Sequence, residues 1–165
     1  MFKVLDEVCK PTRGTRFSAA VDLRSREDIV VGAGETKLIP LGVKIDMEHI
    51  EDIFDFNADK VINFAKEHYL QLMLRSGLGK KGLILPNGVG VIDLDYKDEI
   101  MMIVHNPVVD IDEIGVRFGS ENRPEINIKK GDRVGQITLL EHKSYLFGID
   151  TDEVRSGGFG STGTK

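Results

Sequence analysis

The chain has 165 residues, a formal net charge of −5 at neutral pH and one cysteine, Cys9. That length fits one domain with a proper core, and the acidic balance excludes a global pull toward nucleic acid, so a phosphate site must be local and built from a few arginines. A lone cysteine excludes an internal disulfide and suits a reducing, cytoplasmic setting; no apolar run approaches the ~20 residues of a membrane span, and the charged opening MFKVLDEVCK does not read as a signal peptide.

In chain order, strands are predicted at FKVL (2–5), VDLR (21–24) and DIVV (28–31). Val43, Ile45 and Met47 then alternate with Lys44 and Asp46, a period of two that marks a strand with one buried face. Residues 48–68 break this period. Val61, Ile62, Ala65 and Tyr69 share a helical face and Asn57 is a plausible N-cap, so a helix is predicted over 58–68, after a shorter helical turn at 49–54. Alternation resumes at Leu70, Leu72 and Leu74. Further strands are predicted at LILP (83–86), EIMMIVH (99–105), Ile126–Ile128 and RVGQITLLE (133–141), with an irregular stretch at 108–124. Glycine-rich turns (VGAGE, RSGLGKKG, LPNG, KKGD) separate them. The pattern predicts an all-β domain over 1–150, a jelly-roll-like barrel or sandwich carrying insertions at 48–68 and 108–124. A flexible arm follows at 151–165.

Four stretches could carry chemistry. RSGLG places Arg75, Ser76 and Gly77 at a strand end, where a guanidinium and backbone N–H groups could meet one phosphate; an ordinary turn is the alternative. PNGVGVID reads as a hairpin with an Asn-Gly type I′ turn, its backbone left bare by Gly88 and Gly90. IDLDY puts Asp93 and Asp95 beside Tyr96, a pair able to hold a metal or activate water, though such pairs are more often simply solvated. The tail RSGGFGSTGTK reads either as a floppy end or as a flap that orders on a ligand, with Arg155 and hydroxyls for phosphate and Phe159 for the face of a base. His49, His68, His105 and His142 have no metal-ligand spacing, and Cys9 is expected to be inert.

Five stretches taken together are specific: AAVDL (19–23), RSGL (75–78), GVIDLDY (90–96), GDRVGQ (131–136) and GGFGSTG (157–163). In this order the chain resembles the trimeric dUTP pyrophosphatase (dUTPase) family, with insertions of the kind found in phage-type members. It departs from the family's usual motifs at Ala20 and Asp98, each in place of glycine, at Leu74 in place of proline, and at Arg155, which lies four rather than five residues before Phe159.

The resemblance implies a jelly-roll β-barrel and a homotrimer whose sites each draw on all three subunits. It implies hydrolysis of dUTP to dUMP and pyrophosphate, limiting uracil incorporation into DNA, with Mg²⁺ as cofactor. On that footing Asp93 holds the attacking water and accepts its proton. Arg75, Ser76, Gly77, Arg133 and Gln136 bind phosphate, and Asp22 orients the waters of the metal. Asn87 and the backbone through Gly90, Val91 and Ile92 read uracil, and Tyr96 lies under the deoxyribose. Arg155, Phe159, Gly160, Ser161 and Thr162 close over base and phosphates. Two rivals share the scaffold: a dCTP deaminase-type relative, and a regulator that docks protein partners through 48–68, where Ile50, Ile53, Phe54 and Phe56 offer apolar surface.

Overall fold

The computed structural model describes residues 1–50, 58–108, 110–112, 115–117 and 124–149. Strands run β1 (Phe2–Val4), β2 (Thr12–Arg13), β3 (Val21–Arg24), β4 (Ile29–Val31), β5 (Thr36–Pro40) and β6 (Val43–Ile45). After helix α1 (Ala58–Glu67) come β7 (His68–Leu74), the short helix α2 (Ser76–Lys80), β8 (Gly90–Asp93) and β9 (Met101–His105). β10 (Asp110–Asp112), β11 (Gly115–Arg117), β12 (Ile126–Ile128) and β13 (Arg133–Glu141) complete the order.

Every pairing among the described strands is antiparallel. The largest sheet has the order β2-β3-β13-β7-β8. β1 with β6, β4 with β12, β5 with β9 and β10 with β11 form two-stranded ladders. β13 pairs with β7 from Gly135 opposite Leu74 to Glu141 opposite His68. Alternation decides what this ladder buries: Leu70, Leu72 and Ile137 point inward and join Leu23, Ile39, Val31, Met102 and Ile128 in one core. Gln71, Met73, Gln136 and Thr138 therefore lie on the outer face.

The predicted strands appear in place except LILP (83–86), which forms no strand and contributes only a bridge from Ile84 to His105; four further differences follow. The helix occupies Ala58–Glu67, but its buried face is Val61, Phe64 and Ala65, while Ile62 is 52% exposed and Tyr69 belongs to β7. RSGLGKKG is not a bare turn: it winds into α2. LPNG does not make a type I′ hairpin. The Gly88 N–H donates to the Leu85 carbonyl at 3.0 Å, so Pro86 occupies the second turn position, where its fixed φ is favoured. The flanking segments then part, Ile84 bridging His105 while β8 joins β7. Finally, part of 108–124 folds as the β10–β11 hairpin. Residues 48–50 are helical, and Asn57, Ile53, Phe54, Phe56 and the arm lie outside the described residues.

α1 is fastened to the sheet. The His68 Nδ1–H donates to the Phe64 carbonyl at 2.9 Å, and their rings stack at 4.2 Å. The His142 N–H donates to the Glu67 carbonyl at 2.7 Å, tying the helix end to the end of β13. α1, the described helix of the insertion, is thus packed on its own domain.

Gly42 marks the tightest point of the fold. Its φ is +64°, and an added Cβ would sit 2.6 Å from both Cβ and Sγ of Cys9. Cys9 is fully buried, and burial pushes its thiol above the usual range, in keeping with inertness. Gly42→Ala is expected to lower unfolding free energy by about 2–5 kcal/mol in urea titration, combining left-handed strain with overpacking. Gly77→Ala, where nothing lies within 4 Å of the new Cβ and the backbone is helical, is expected to match or exceed the parent in stability.

Candidate active site

Asp22 lies on β3, opposite Gln136 of β13 and Thr12 of β2. It is the one buried charged residue among the described residues, 7% exposed, and both oxygens are engaged. Arg75 Nε lies 2.8 Å from Oδ1, and Arg133 Nη1 donates to Oδ2 at 3.1 Å. Arg75 is held where β7 ends, its backbone N–H bonded to the Val134 carbonyl at 3.1 Å. Ser76 and Gly77 follow it and are exposed. Beside this clamp opens a pocket of ≈ 340 Å³ whose charged and polar lining is Arg75, Lys81, Asn127, Asp132 and Arg133, with Gly77 at its wall. Two arginines and a lysine against one lining carboxylate favour a polyanion. Gln136, half-buried, stands between Asp22 and Met73 in the ladder. Lys81, Asn127 and Asp132 were not singled out from the sequence. For Lys81 the signal was a helical reading of GLGKK, which puts positions 77 and 81 on one side.

The second region surrounds β8, the edge strand of the sheet. One side of its backbone pairs with β7; the other is left by the ladder for a partner. Asn87 and Val91 are exposed, Gly90 and Ile92 half-buried. These four line a small cavity of ≈ 80 Å³ with Leu72, Leu85, Met101 and Ile103. Gly90 has a packing duty as well: a Cβ there would come within 3.0 Å of the Leu72 Cβ.

Asp93 ends β8, exposed and opposite Tyr69. The Tyr96 N–H donates to the Asp93 carbonyl at 3.1 Å, and its hydroxyl to the Glu99 carbonyl at 3.2 Å, with the ring packed against the core. Asp93, Leu94 and Asp95 form one side of a groove of ≈ 360 Å³. Ile62, Ala65 and Lys66 of α1 and His142 form the other.

Asp22 and Asp93 share the outer face of the five-stranded sheet but not the same end. Asp22 is level with Gln136, and Asp93 is level with Tyr69 and Leu140. Three strand spacings across and four residues along separate them by roughly 20 Å. A single chain thus brings Asp22, Arg75, Arg133 and Gln136 together, and Asp93 with Tyr96, but not the two groups with each other. Arg155, Phe159, Gly160, Ser161 and Thr162 lie outside the described residues. Among the described residues no group of three or more His, Cys, Asp or Glu is placed to hold a metal, and no helix is long and apolar enough to cross a membrane.

No family model matches the chain. It is 34% identical to the deoxyuridine 5'-triphosphate nucleotidohydrolase of Hahella chejuensis over an alignment 177 positions long, covering 100% of this chain and 97% of that protein. The enzyme of that name from Tolumonas auensis is 33% identical, covering 98% and 95%. Among solved structures, the dUTPase from Streptococcus mutans superposes with a TM-score of 0.62 at 25% identity, over 91% of this chain and 98% of that one. The dUTPase of Staphylococcus aureus phage phi11, solved with its species-specific insert visible, shares the fold at a TM-score of 0.57 and 20% identity, over 98% and 97%. The β-jelly-roll expected from the strand pattern is the fold of these proteins. With a third of its residues identical over essentially the full length of such relatives, the chain belongs to the dUTPase family.

Proposed function

We propose that this chain hydrolyses dUTP to dUMP and pyrophosphate in sites shared between copies of itself, as a homotrimer. The observation that carries the reading is the split on the outer face of the sheet: an arginine-lined cleft at one end and Asp93 at the other, on a chain of this family. Two ends that cannot meet within one molecule can meet between molecules in a closed, head-to-tail ring.

In the assembled site the cleft of one copy holds the polyphosphate. Arg75 and Arg133 transfer part of their hydrogen bonding from Asp22 to phosphate oxygens, while Ser76, Gly77 and Gln136 add donors. The chemistry of the donor set suits Mg²⁺ carried in by the phosphates: this ion keeps several waters and takes few protein ligands, and Asp22, held by Arg75 and Arg133 beside the cleft, is a carboxylate able to accept hydrogen bonds from them. When bound, Mg²⁺ would neutralise charge on the phosphate oxygens.

Asp93 of another copy holds a water in line with the α-phosphorus and accepts its proton as the new O–P bond forms. The bond from the α-phosphorus to the bridging oxygen breaks, and pyrophosphate leaves. Uracil is read by the free edge of β8: an N–H facing O4 and a C=O facing the ring N–H accept uracil and leave cytosine unpaired, with Asn87 beside them. Tyr96 stacks under the deoxyribose and excludes a 2′-hydroxyl. The arm closes last, Phe159 on the base and Arg155, Gly160, Ser161 and Thr162 around the phosphates, shutting out water. A deaminase reading is not favoured, because relatives at this level of identity carry the nucleotidohydrolase name.

Incubation of the purified protein with each dNTP and Mg²⁺ is expected to release pyrophosphate from dUTP alone. Asp93→Asn is expected to keep the fold and lose most turnover. Mixing unfolded and co-refolded Asp93→Asn with Arg75→Ala should regain a fraction of wild-type activity, since some mixed sites contain neither lesion; no recovery in verified mixed oligomers would count against shared sites. Asp22→Asn is expected to cost about 1–3 kcal/mol in stability, because it removes a charged partner from two guanidinium groups. It is also expected to raise KM for dUTP.

A further inference from the structure

We propose that Lys66, on the inserted helix α1, is a further substrate-binding residue, meeting the nucleotide's phosphates beside Asp93; this rests on the assignment of Asp93 to the attacking water. Lys66 and Asp93 line one groove, with Asp95 on the same wall as Asp93 and His142 on the same wall as Lys66. Ile62, Ala65 and Leu94 supply its apolar lining. Two carboxylates two residues apart on one wall oppose the approach of any phosphate. The attacking water must nevertheless be held against a phosphorus whose oxygens are negatively charged, so a cation on the facing wall removes a conflict built into this end of the sheet.

Lys66 is well placed for that duty because α1 does not swing free. Val61 is buried, Phe64 and Ala65 pack on the core, and the Glu67 carbonyl is bonded to His142. The helix therefore presents its last turn at a fixed position relative to β8. An ammonium on a flexible stem suits a target that arrives only with substrate. In the shared site, Lys66 comes from the copy that supplies Asp93, whereas Arg75 and Arg133 come from another. The groove thus has its own cation before the second copy contributes.

The test compares wild type with Lys66→Met, which keeps the stem and removes the charge, and Lys66→Arg, which keeps the charge. Steady-state kinetics with dUTP and Mg²⁺ and calorimetric titration with inorganic tripolyphosphate are run on the full chain. For Lys66→Met the expected result is a KM raised about fivefold with kcat unchanged and a tripolyphosphate affinity lowered by about the same factor, the size of one exposed ion pair. Lys66→Arg should stay near wild type. Wild-type KM and affinity in Lys66→Met would overturn the proposal, as would equal impairment in both variants, which would make the role steric. Should wild type not hydrolyse dUTP, the functional reading fails on its own, and the tripolyphosphate titration still decides Lys66.

Discussion

A carboxylate held between two guanidinium groups is the constraint around which the arginine-lined end of this molecule is organised. Asp22 is almost wholly removed from water, and a charge in that position is tolerated only with partners on both oxygens. Arg75 and Arg133 come from distant parts of the chain, one where β7 gives way to α2 and the other at the start of β13. Their convergence on Asp22 fixes the register of three strands and aims two cations at the same cleft. The arrangement serves both states of such a site. Without ligand the arginines have a partner and do not repel each other; with a polyanion they have a stronger one, and the cleft needs little rearrangement.

The same sheet explains why the arginine-lined cleft and Asp93, which the proposed reaction needs together, do not meet within one chain. β13 spans nine residues and pairs with β7 over most of them, so functions placed at its two ends are held apart by a stiff ladder. No loop motion of a few ångströms closes that distance. Sharing the site between copies, as proposed above, would use the rigidity instead of opposing it: each end would keep its geometry, and assembly would supply the juxtaposition.

Much of this was legible in the sequence because its signals were local. Period-two alternation placed β6, β7 and β12, and a period of 3.6 placed α1, since burying one face is what each pattern does. Motif residues around Asp22, Arg75 and Asp93 were found from resemblance, and the structure brings Asp22, Arg75, Arg133 and Gln136 together. What escaped depended on tertiary context. Ile62 looked like a core residue, yet the sheet meets α1 along Val61 and Phe64. Asn87-Gly88 looked like the centre of a hairpin, but Pro86 shifts the turn by one position and the flanks join different sheets. Lys81 and Asn127 carry no motif of their own, and Asp132 lies in GDRVGQ without a role assigned to it; they enter the cleft because the end of α2, β12 and the loop before Arg133 converge there.

The two ends of the sheet differ in how they are built, and this bears on where the family can vary. The loop that delivers Arg133 is pinned repeatedly: Arg24 Nη1 and the Lys130 N–H donate to the Gly131 carbonyl and Asp28 Oδ1, each at 2.8 Å. The Ser25 N–H donates to the Asp132 carbonyl at 2.9 Å, and Gly131 takes φ +87°. An inserted segment there would break several of these bonds and displace Arg133. At the Asp93 end, α1 attaches through one apolar stripe and hydrogen bonds from His68 and His142, leaving β8 paired with β7. Added structure is therefore least costly beside Asp93, where it adds new side chains to the groove without moving the arginines.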